Sequence, residues 1–245
     1  AAGYGGDKGI FGYGTTGSYV SLTNLVGNTG TVAADITGVG TARGYLAATG
    51  YGTDKAIFAY GYTGSNVSMS NLVSNSGVVA ADVTGVGTAR RGVGACSYGT
   101  DKAIFGYGFT GSAVSVSNLV NSSGVIASDV TGVGTARYYL AATSYGTDKG
   151  IFAYGNTGSV VSLSNLVSNS GVVAADVTGV GTARYGLAAA RYGGDKAIFA
   201  YGFLTGGTPT SLSNLVSNVG VVASDTTGVG SARGALAASE FSYAA

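Results

Sequence analysis

The stretch Tyr51-Gly-Thr-Asp-Lys-Ala-Ile-Phe-Ala-Tyr-Gly61 decides the fold, because nearly the same residues recur along the chain at a fixed interval. Its opening pattern, Tyr-Gly-x-Asp-Lys, starts five times, and each start lies 47 residues after the one before. Self-similarity at such a period indicates a repeat architecture. The starts at Tyr4, Tyr51, Tyr98, Tyr145 and Tyr192 define the units 4–50, 51–97, 98–144, 145–191 and 192–240, followed by a closing tail at 241–245.

The sequence of each unit predicts four short strands, as residues 90–136 illustrate. Gly-Thr-Asp at 99–101 is typical of a tight turn between two strands. The next strand, 102–107, is rich in β-branched and aromatic residues, and the third, 113–120, alternates apolar and polar residues. The segment 125–130 is predicted to be the fourth strand. Glycine interrupts every stretch, which disfavours helix.

Four short strands in about 47 residues, repeated five times, are typical of β-propeller blades. The predicted fold class is therefore all-β: a five-bladed β-propeller with four antiparallel strands per blade, spanning 1–245 as one domain. The small residues at 186–190 suit an innermost strand near a narrow axis. We expect the C-terminal strand, 233–243, to complete the first blade, which hides two sheet edges and keeps the chain a monomer. A solenoid is the competing architecture, but it needs atypical capping repeats.

The composition excludes several classes of function. Only 9% of the 245 residues are charged, His is absent, and Cys96 is the single cysteine. We expect no enzyme, since catalytic sites need dissimilar groups with separated proton affinities. No cofactor or metal is expected, because each repeated Asp stands alone in its loop. A net charge of +1 argues against nucleic acid, and no apolar run is long enough to span a membrane.

The pattern Arg-x-Gly-Leu-Ala-Ala-Ala-x-Tyr-Gly-x-Asp-Lys-Ala-Ile-Phe-x-Tyr-Gly at 184–202 resembles a Kelch motif. Two features depart from that motif: its glycine pair is altered to Tyr60-Gly61, and Asn71-Leu-Val73 stands where spaced aromatic residues belong. The sequence of the units is also similar to that of repeat proteins from marine phages and uncultured marine microbes. The resemblance implies a binding or assembly scaffold, but fold alone does not determine function.

The arginine that closes each unit is the first candidate ligand-binding group. Five of them could surround the mouth of a central channel and bind a carboxylate or phosphate, since guanidinium groups suit such anions. The alternative is structural: each arginine bridges to the aspartate that recurs once per unit. The arginines are Arg43, Arg90, Arg137, Arg184 and Arg233, and the aspartates are Asp35, Asp82, Asp129, Asp176 and Asp225.

Aromatic residues that vary between the units are the second candidate. Tyr19, Tyr62, Phe109 and Phe203 lie in or beside the second turn, and further tyrosines follow the arginines at 45, 138, 139 and 185. Variation within an otherwise copied unit indicates either tolerance at a solvated surface or recruitment for binding. The insertion at 204–210 in the fifth unit is either a contact loop or a harmless lengthening. The Asp-Lys pair of each unit suits a turn, and Cys96 suits a small buried position.

Two functions from different classes remain. The first is a non-catalytic binding or structural scaffold, virion-associated in a phage, that mediates protein–protein contact. The alternative is a multivalent, lectin-like propeller that binds carbohydrate through aromatic rings. The partner is thus an unknown protein or glycan. The start of the sequence shows no signal-peptide pattern, and a virion or extracellular location is the expectation.

Overall fold

The computed structural model describes residues 1–240 and is all-β. Fifteen strands form five three-stranded antiparallel sheets, each in the order first–second–third. Because three strands lie before each closing arginine, we number the structural units from arginine to arginine, which shifts their bounds from those of the sequence repeats. Units 1 to 5 are residues 1–43, 44–90, 91–137, 138–184 and 185–233. The strands are β1 (Ala2–Tyr4), β2 (Lys8–Thr15) and β3 (Tyr19–Val26) in unit 1, β4 (Ala47–Tyr51), β5 (Lys55–Ala59) and β6 (Ser70–Val73) in unit 2, β7 (Gly94–Tyr98), β8 (Lys102–Phe109) and β9 (Ala113–Val120) in unit 3, β10 (Ala141–Tyr145), β11 (Lys149–Ala153) and β12 (Ser164–Val167) in unit 4, and β13 (Ala188–Tyr192), β14 (Lys196–Ala200) and β15 (Ser213–Val216) in unit 5.

The first turn of each unit forms as the sequence predicts. In unit 2, β4 and β5 pair from Tyr51 with Lys55, so the Gly-Thr-Asp residues reverse the chain. Gly52 and Thr53 both have left-handed backbone conformations, with φ of 59° and 68°. Glycine adopts this conformation freely, whereas the Cβ of threonine makes it strained.

The prediction of a regular fourth strand in each unit is wrong. In unit 3, the segment 125–130 pairs with β9 only at two isolated bridges, Val120 with Ile126 and Ser117 with Val130. Between these bridges the segment has one residue more than β9, which is the signature of a bulge. The side-chain amide of Asn118 donates a hydrogen bond to the carbonyl of Ala127. This side-chain bond replaces a backbone hydrogen bond between the two segments. The sheets therefore have three strands, with an irregular outer segment beside each.

The five sheets have a propeller-like arrangement around a common axis. A polar cavity of about 60 Å³ on this axis is lined by the small residues of the first strands, such as Ala48, Ala95 and Ala142. Apolar side chains fill the space between neighbouring sheets, and the Phe of each second strand in units 2 to 5 is almost fully buried. Among residues 1–240, no helix is long and apolar enough to cross a membrane.

The predicted closure of the ring by the C-terminal strand differs from what the structure shows. The innermost place in unit 1 is already taken by β1, which pairs with β2 from Ala2–Ile10 to Tyr4–Lys8. Residues 234–240 form no strand, and instead lie along the axis beside Gly3. The predicted tail at 241–245 lies outside the described residues. No closed sheet joins the two ends of the described chain.

Candidate functional site

The closing arginines lie inside the boundaries between units, not at a free surface. Arg90 is fully buried between units 2 and 3. Its Nε donates to the carbonyl of Tyr107 at 2.8 Å, its Nη1 to the carbonyl of Thr88 at 3.0 Å, and its Nη2 to Asn118 Oδ1 at 2.7 Å. Arg43, Arg137 and Arg184 make the equivalent bonds at their own boundaries.

The repeated aspartate completes this network. Asp129 lies 3.9 Å from Nη1 of Arg90 and accepts hydrogen bonds from Thr88 and Asn118. Burial raises the pKa of Asp129, but the hydrogen bonds and the charge of Arg90 outweigh that effect, so its pKa lies below the usual value. For four of the five arginines the geometry thus favours the structural alternative, because their donors are engaged inside the protein.

A backbone distortion that recurs in every unit places a tyrosine under each arginine. Tyr60, which follows β5, has a φ of 64°, and its ring lies 4.2 Å from the guanidinium carbon of Arg90. The ring also packs against Phe105 of unit 3, with 5.4 Å between the centroids. Burial raises the pKa of Tyr60 to about 12. The same left-handed tyrosine and stacked arginine recur in all five units, at Tyr13, Tyr60, Tyr107, Tyr154 and Tyr201.

Arg233 is the exception among the predicted arginines. It stacks on Tyr201 at 4.1 Å, yet it is exposed. Among the described residues its guanidinium donates only to the carbonyl of Ser231. The sequence could not distinguish Arg233 from its four counterparts, because all five stand in the same local pattern.

The variable aromatic residues come together on one face of the molecule. We call this the aromatic face. Phe109 packs on Tyr138 at 4.9 Å, Tyr138 on Tyr139 at 5.0 Å, and Phe203 on Tyr185 at 5.5 Å. The guanidinium of Arg91 lies between the rings of Tyr62 and Phe109, at 4.4 and 5.1 Å. The residues of the aromatic face are Tyr45, Tyr62, Phe109, Tyr138, Tyr139, Tyr185 and Phe203.

An open cavity of about 720 Å³ lies within the aromatic face. Tyr45, Tyr139, Tyr185 and Phe203 line it together with leucines that directly precede the first strands, such as Leu46 and Leu140. Its lining contains no Asp, Glu, Lys or Arg side chain. Of the predicted ligand-binding residues, Phe203 therefore lies at the cavity, while Tyr62 and Phe109 extend the same band of rings outward. The structure does not bring the buried arginines into this lining.

Two tyrosines reach the cavity through strained backbone conformations. Tyr45 and Tyr139 have φ of 56° and 52°, whereas Gly92 and Gly186 stand at the same position of units 3 and 5. Backbone hydrogen bonds link these positions in series: Gly92 N donates to Tyr45 O, Tyr139 N to Gly92 O, and Gly186 N to Tyr139 O. The left-handed backbone conformation costs about 1–2 kcal/mol for a residue with a side chain, whereas glycine adopts it without that cost. Strain of this kind is often found at functional sites.

The other sequence features have structural roles. Lys55 pairs with its neighbour Asp54 at 3.1 Å in the first turn, at the other end of the unit from the aromatic face. Cys96 is a free, buried cysteine, as expected, and burial raises the pKa of its thiol to about 12. The insertion forms a 3-10 turn at Thr205–Gly207 beside the Tyr185 hydroxyl. Within residues 1–240, no three His, Cys, Asp or Glu side chains form a group that could hold a metal ion.

Comparison with known proteins gives no family assignment. No protein-family model matches this sequence, and no match was found among the curated proteins. A function for the chain therefore has to be inferred from its own residues and their geometry.

Proposed function

We propose that this chain is a non-catalytic binding scaffold whose aromatic face holds a partner protein. The observation that carries the proposal is the pair of strained tyrosines, Tyr45 and Tyr139. Their rings line an open cavity at a backbone position that glycine fills without strain elsewhere in the same chain. A strained conformation that brings an exposed ring to a cavity is better explained by binding than by packing.

The chemistry of the cavity supports a protein side chain as the bound group. Its lining is aromatic and aliphatic and includes no charged side chain. An apolar or aromatic side chain inserted there would lose its contact with water without leaving a buried charge unpaired. Tyrosine is among the residues enriched at the energetic centres of protein interfaces.

The outer rim supports the same proposal. Each irregular outer segment exposes valine side chains, such as Val78 in unit 2 and Val125 and Val130 in unit 3. Val78 keeps 66% of its surface exposed. Apolar surface repeated in this way around the molecule suits lateral contact with other proteins.

Carbohydrate binding is the second candidate, and the exposed rings favour it. Tyr45 is 51% exposed, so that one of its faces could support a sugar ring. A lectin-like site also needs hydrogen-bonding groups, and at this cavity those would come from tyrosine hydroxyls and the backbone.

The positions of the repeated aspartates support a function without catalysis. The aspartates at 82, 129, 176 and 225 are engaged with arginine and threonine at the boundaries between units. The buried Cys96 thiol, with its raised pKa, is a poor nucleophile at neutral pH.

The test measures binding of the purified chain to a displayed peptide library and to a glycan array. The variant Tyr45→Gly/Tyr139→Gly removes both rings and relieves the strain, so it is expected to fold. Ala235→Gly is the matched control, because Ala235 has the same left-handed conformation without a ring. Saturable peptide binding that the double variant loses and the control keeps supports the proposal. Glycan binding with the same dependence supports the second candidate, and binding of neither class would overturn both.

A further inference from the structure

Arg91 places one positive charge beside the rings of the aromatic face. It is the first residue of unit 3, whereas units 2, 4 and 5 begin with Gly44, Tyr138 and Tyr185. Among these four units a cation stands at this position in unit 3 alone. The charge therefore breaks the symmetry of the repeat at a single place.

Two aromatic rings hold the guanidinium group of Arg91. The ring of Tyr62 lies 4.4 Å from its central carbon, and the ring of Phe109 lies 5.1 Å from it. Backbone hydrogen bonds in both directions between Arg91 and Phe109, at 3.2 and 2.9 Å, fix the start of the side chain. A guanidinium group that stacks on rings keeps the N–H groups along its edge available. Tyr62 and Phe109, which lie outside the cavity, thus act as positioning residues for Arg91.

No carboxylate neutralises Arg91 within residues 1–240. Each of the five lysines pairs with the aspartate that precedes it, and each fully buried closing arginine lies beside an aspartate of the next unit. Arg91 forms no such salt bridge in the part of the chain that the structure describes, and its side chain is partly exposed. Its charge is therefore available to an anion from outside the protein.

Arg91 also lies at the edge of the cavity. Gly92, the next residue, lines the cavity, and so does Tyr139. Burial raises the pKa of the Tyr139 hydroxyl, and the positive charge of Arg91 opposes this rise, which places the guanidinium close to that hydroxyl. The lining itself contains no charged side chain. A molecule that fills the cavity therefore meets a cation at this edge.

We propose that Arg91 binds a carboxylate of the partner, so that the aromatic face selects an acidic peptide segment with an apolar or aromatic residue beside the acid. The apolar side chain enters the cavity, and the carboxylate oxygens accept hydrogen bonds from the guanidinium of Arg91. This inference rests on the proposed function, because it names the chemistry of the partner at the same face. Since Arg91 breaks the repeat symmetry, we expect one such segment per chain.

The geometry suits a carboxylate for two physical reasons. The planar guanidinium offers parallel N–H groups that match the two oxygens of a carboxylate. Its two stacked rings hold the side chain before binding, so that little conformational freedom is lost when the complex forms.

The experiment selects a displayed library of random peptides on the full chain and measures the selected peptides by fluorescence anisotropy. We expect enrichment of an acid next to an apolar or aromatic residue. Arg91→Gln should weaken binding by about tenfold or more. Arg91→Lys should weaken it less, because lysine keeps the charge and loses the planar shape. Lys102→Gln removes a positive charge of unit 3 away from the aromatic face, so it is the matched control and should change nothing.

Changes in the peptide identify the source of the carboxylate. Replacing the acidic side chain by its amide, or amidating the C-terminus of the peptide, should weaken binding to the wild type. The change that removes the bound carboxylate should have no further effect in the Arg91→Gln variant, because the two groups are then already uncoupled. Fully additive effects of the peptide change and Arg91→Gln would overturn the pairing.

The selected peptides also separate this inference from the proposed function. Peptides that need Tyr45 and Tyr139 but bind Arg91→Gln as well as the wild type would overturn the inference and leave the function standing. Peptides that need Arg91 but neither tyrosine would support the inference and overturn the role of the cavity. Binding of acidic glycans instead of peptides, lost in Arg91→Gln, would overturn the choice of a peptide.

A titration without any selected peptide keeps the inference falsifiable if the library yields none. The NMR signal of the Arg91 Nε–H group, identified by its absence in Arg91→Lys, is followed while N-acetylphenylalanine is added. We expect a saturable shift with this acid and none with its neutral amide, N-acetylphenylalaninamide. Equal responses to the two compounds, or no response to either, would overturn the inference.

Discussion

Arg90 of unit 2 and Asn118 of unit 3 form a 2.7 Å hydrogen bond between two fully buried side chains. The bond joins groups that are 28 residues apart in the sequence and belong to different sheets. Its counterparts at the other internal boundaries show that one buried arginine at each boundary connects a sheet to the next. The stability of the described fold should therefore depend strongly on these arginines.

Removing a buried closing arginine should destabilise the protein, whereas removing Arg233 should not. Arg137→Ala leaves Asp176, Asn165 and two backbone carbonyls without their partner, which typically costs about 3–5 kcal/mol. Arg233→Ala removes an exposed group and should change the free energy of unfolding by less than about 0.5 kcal/mol. Urea unfolding followed by circular dichroism measures both values. Equal losses would show that the arginines are not distinguished by burial.

The repeated aspartates should make the protein sensitive to acid. Hydrogen bonds and the nearby arginine lower the folded-state pKa of Asp82, Asp129, Asp176 and Asp225 despite partial burial. A lowered folded pKa stabilises the protein above the unfolded value of about 3.9, and that stabilisation is lost as the pH falls through the folded pKa. The urea midpoint should hold from pH 7 to 5 and fall below about pH 4. Asp129→Asn should reduce both the neutral stability and the size of the acid loss.

Replacing a strained threonine by glycine should stabilise the first turn of unit 3. Thr100 has a φ of 68°, and glycine stands at the same position in units 1 and 5. Relief of about 1–2 kcal/mol of strain is offset by the greater chain entropy of glycine, about 0.5–1 kcal/mol. Thr100→Gly should thus raise the free energy of unfolding by roughly 0.5 kcal/mol. The reverse change, Gly6→Thr, should lower it, since no neighbouring atom lies near a Cβ there and only the strain acts.

Cys96 and Gly150 should be energetically coupled across the boundary between units 3 and 4. A Cβ at Gly150 would lie 2.5 Å from Cys96 Sγ, so glycine makes room for the sulfur. Gly150→Ala should cost about 1–3 kcal/mol by overpacking. In a Cys96→Ala background the same change should cost little, because alanine has no sulfur. A double-mutant cycle measures the difference, and purely additive effects would contradict the coupling.

Much of each unit follows from local sequence. Tyr51 and Lys55 flank a turn with glycine at its start, and the alternation along β9 is visible in its residues. The pairing of the repeated arginine with the repeated aspartate was one of two alternatives, and the structure favours it at four boundaries. The burial of Cys96 was also expected from its small size.

The features that sequence reasoning missed depend on pairing between distant segments. The bulge beside β9 arises because Asn118 bonds to Ala127, and no residue pattern marks that competition with the strand ladder. The left-handed Tyr60 is equally hidden, since only its position under Arg90 compensates for the strain. The aromatic face gathers residues from several units, and their convergence is a property of the arrangement around the axis.

The sequence by itself determined the repeat, the strands and turns of each unit, and the four charges that every unit carries, because these follow from side-chain alternation and turn chemistry over a few residues. Only the tertiary structure decided how neighbouring units are joined and which of their residues gather around the axis. That outcome depends on the angle between neighbouring sheets, which the packing of Tyr60 on Phe105 and the spacing of the first strands set together.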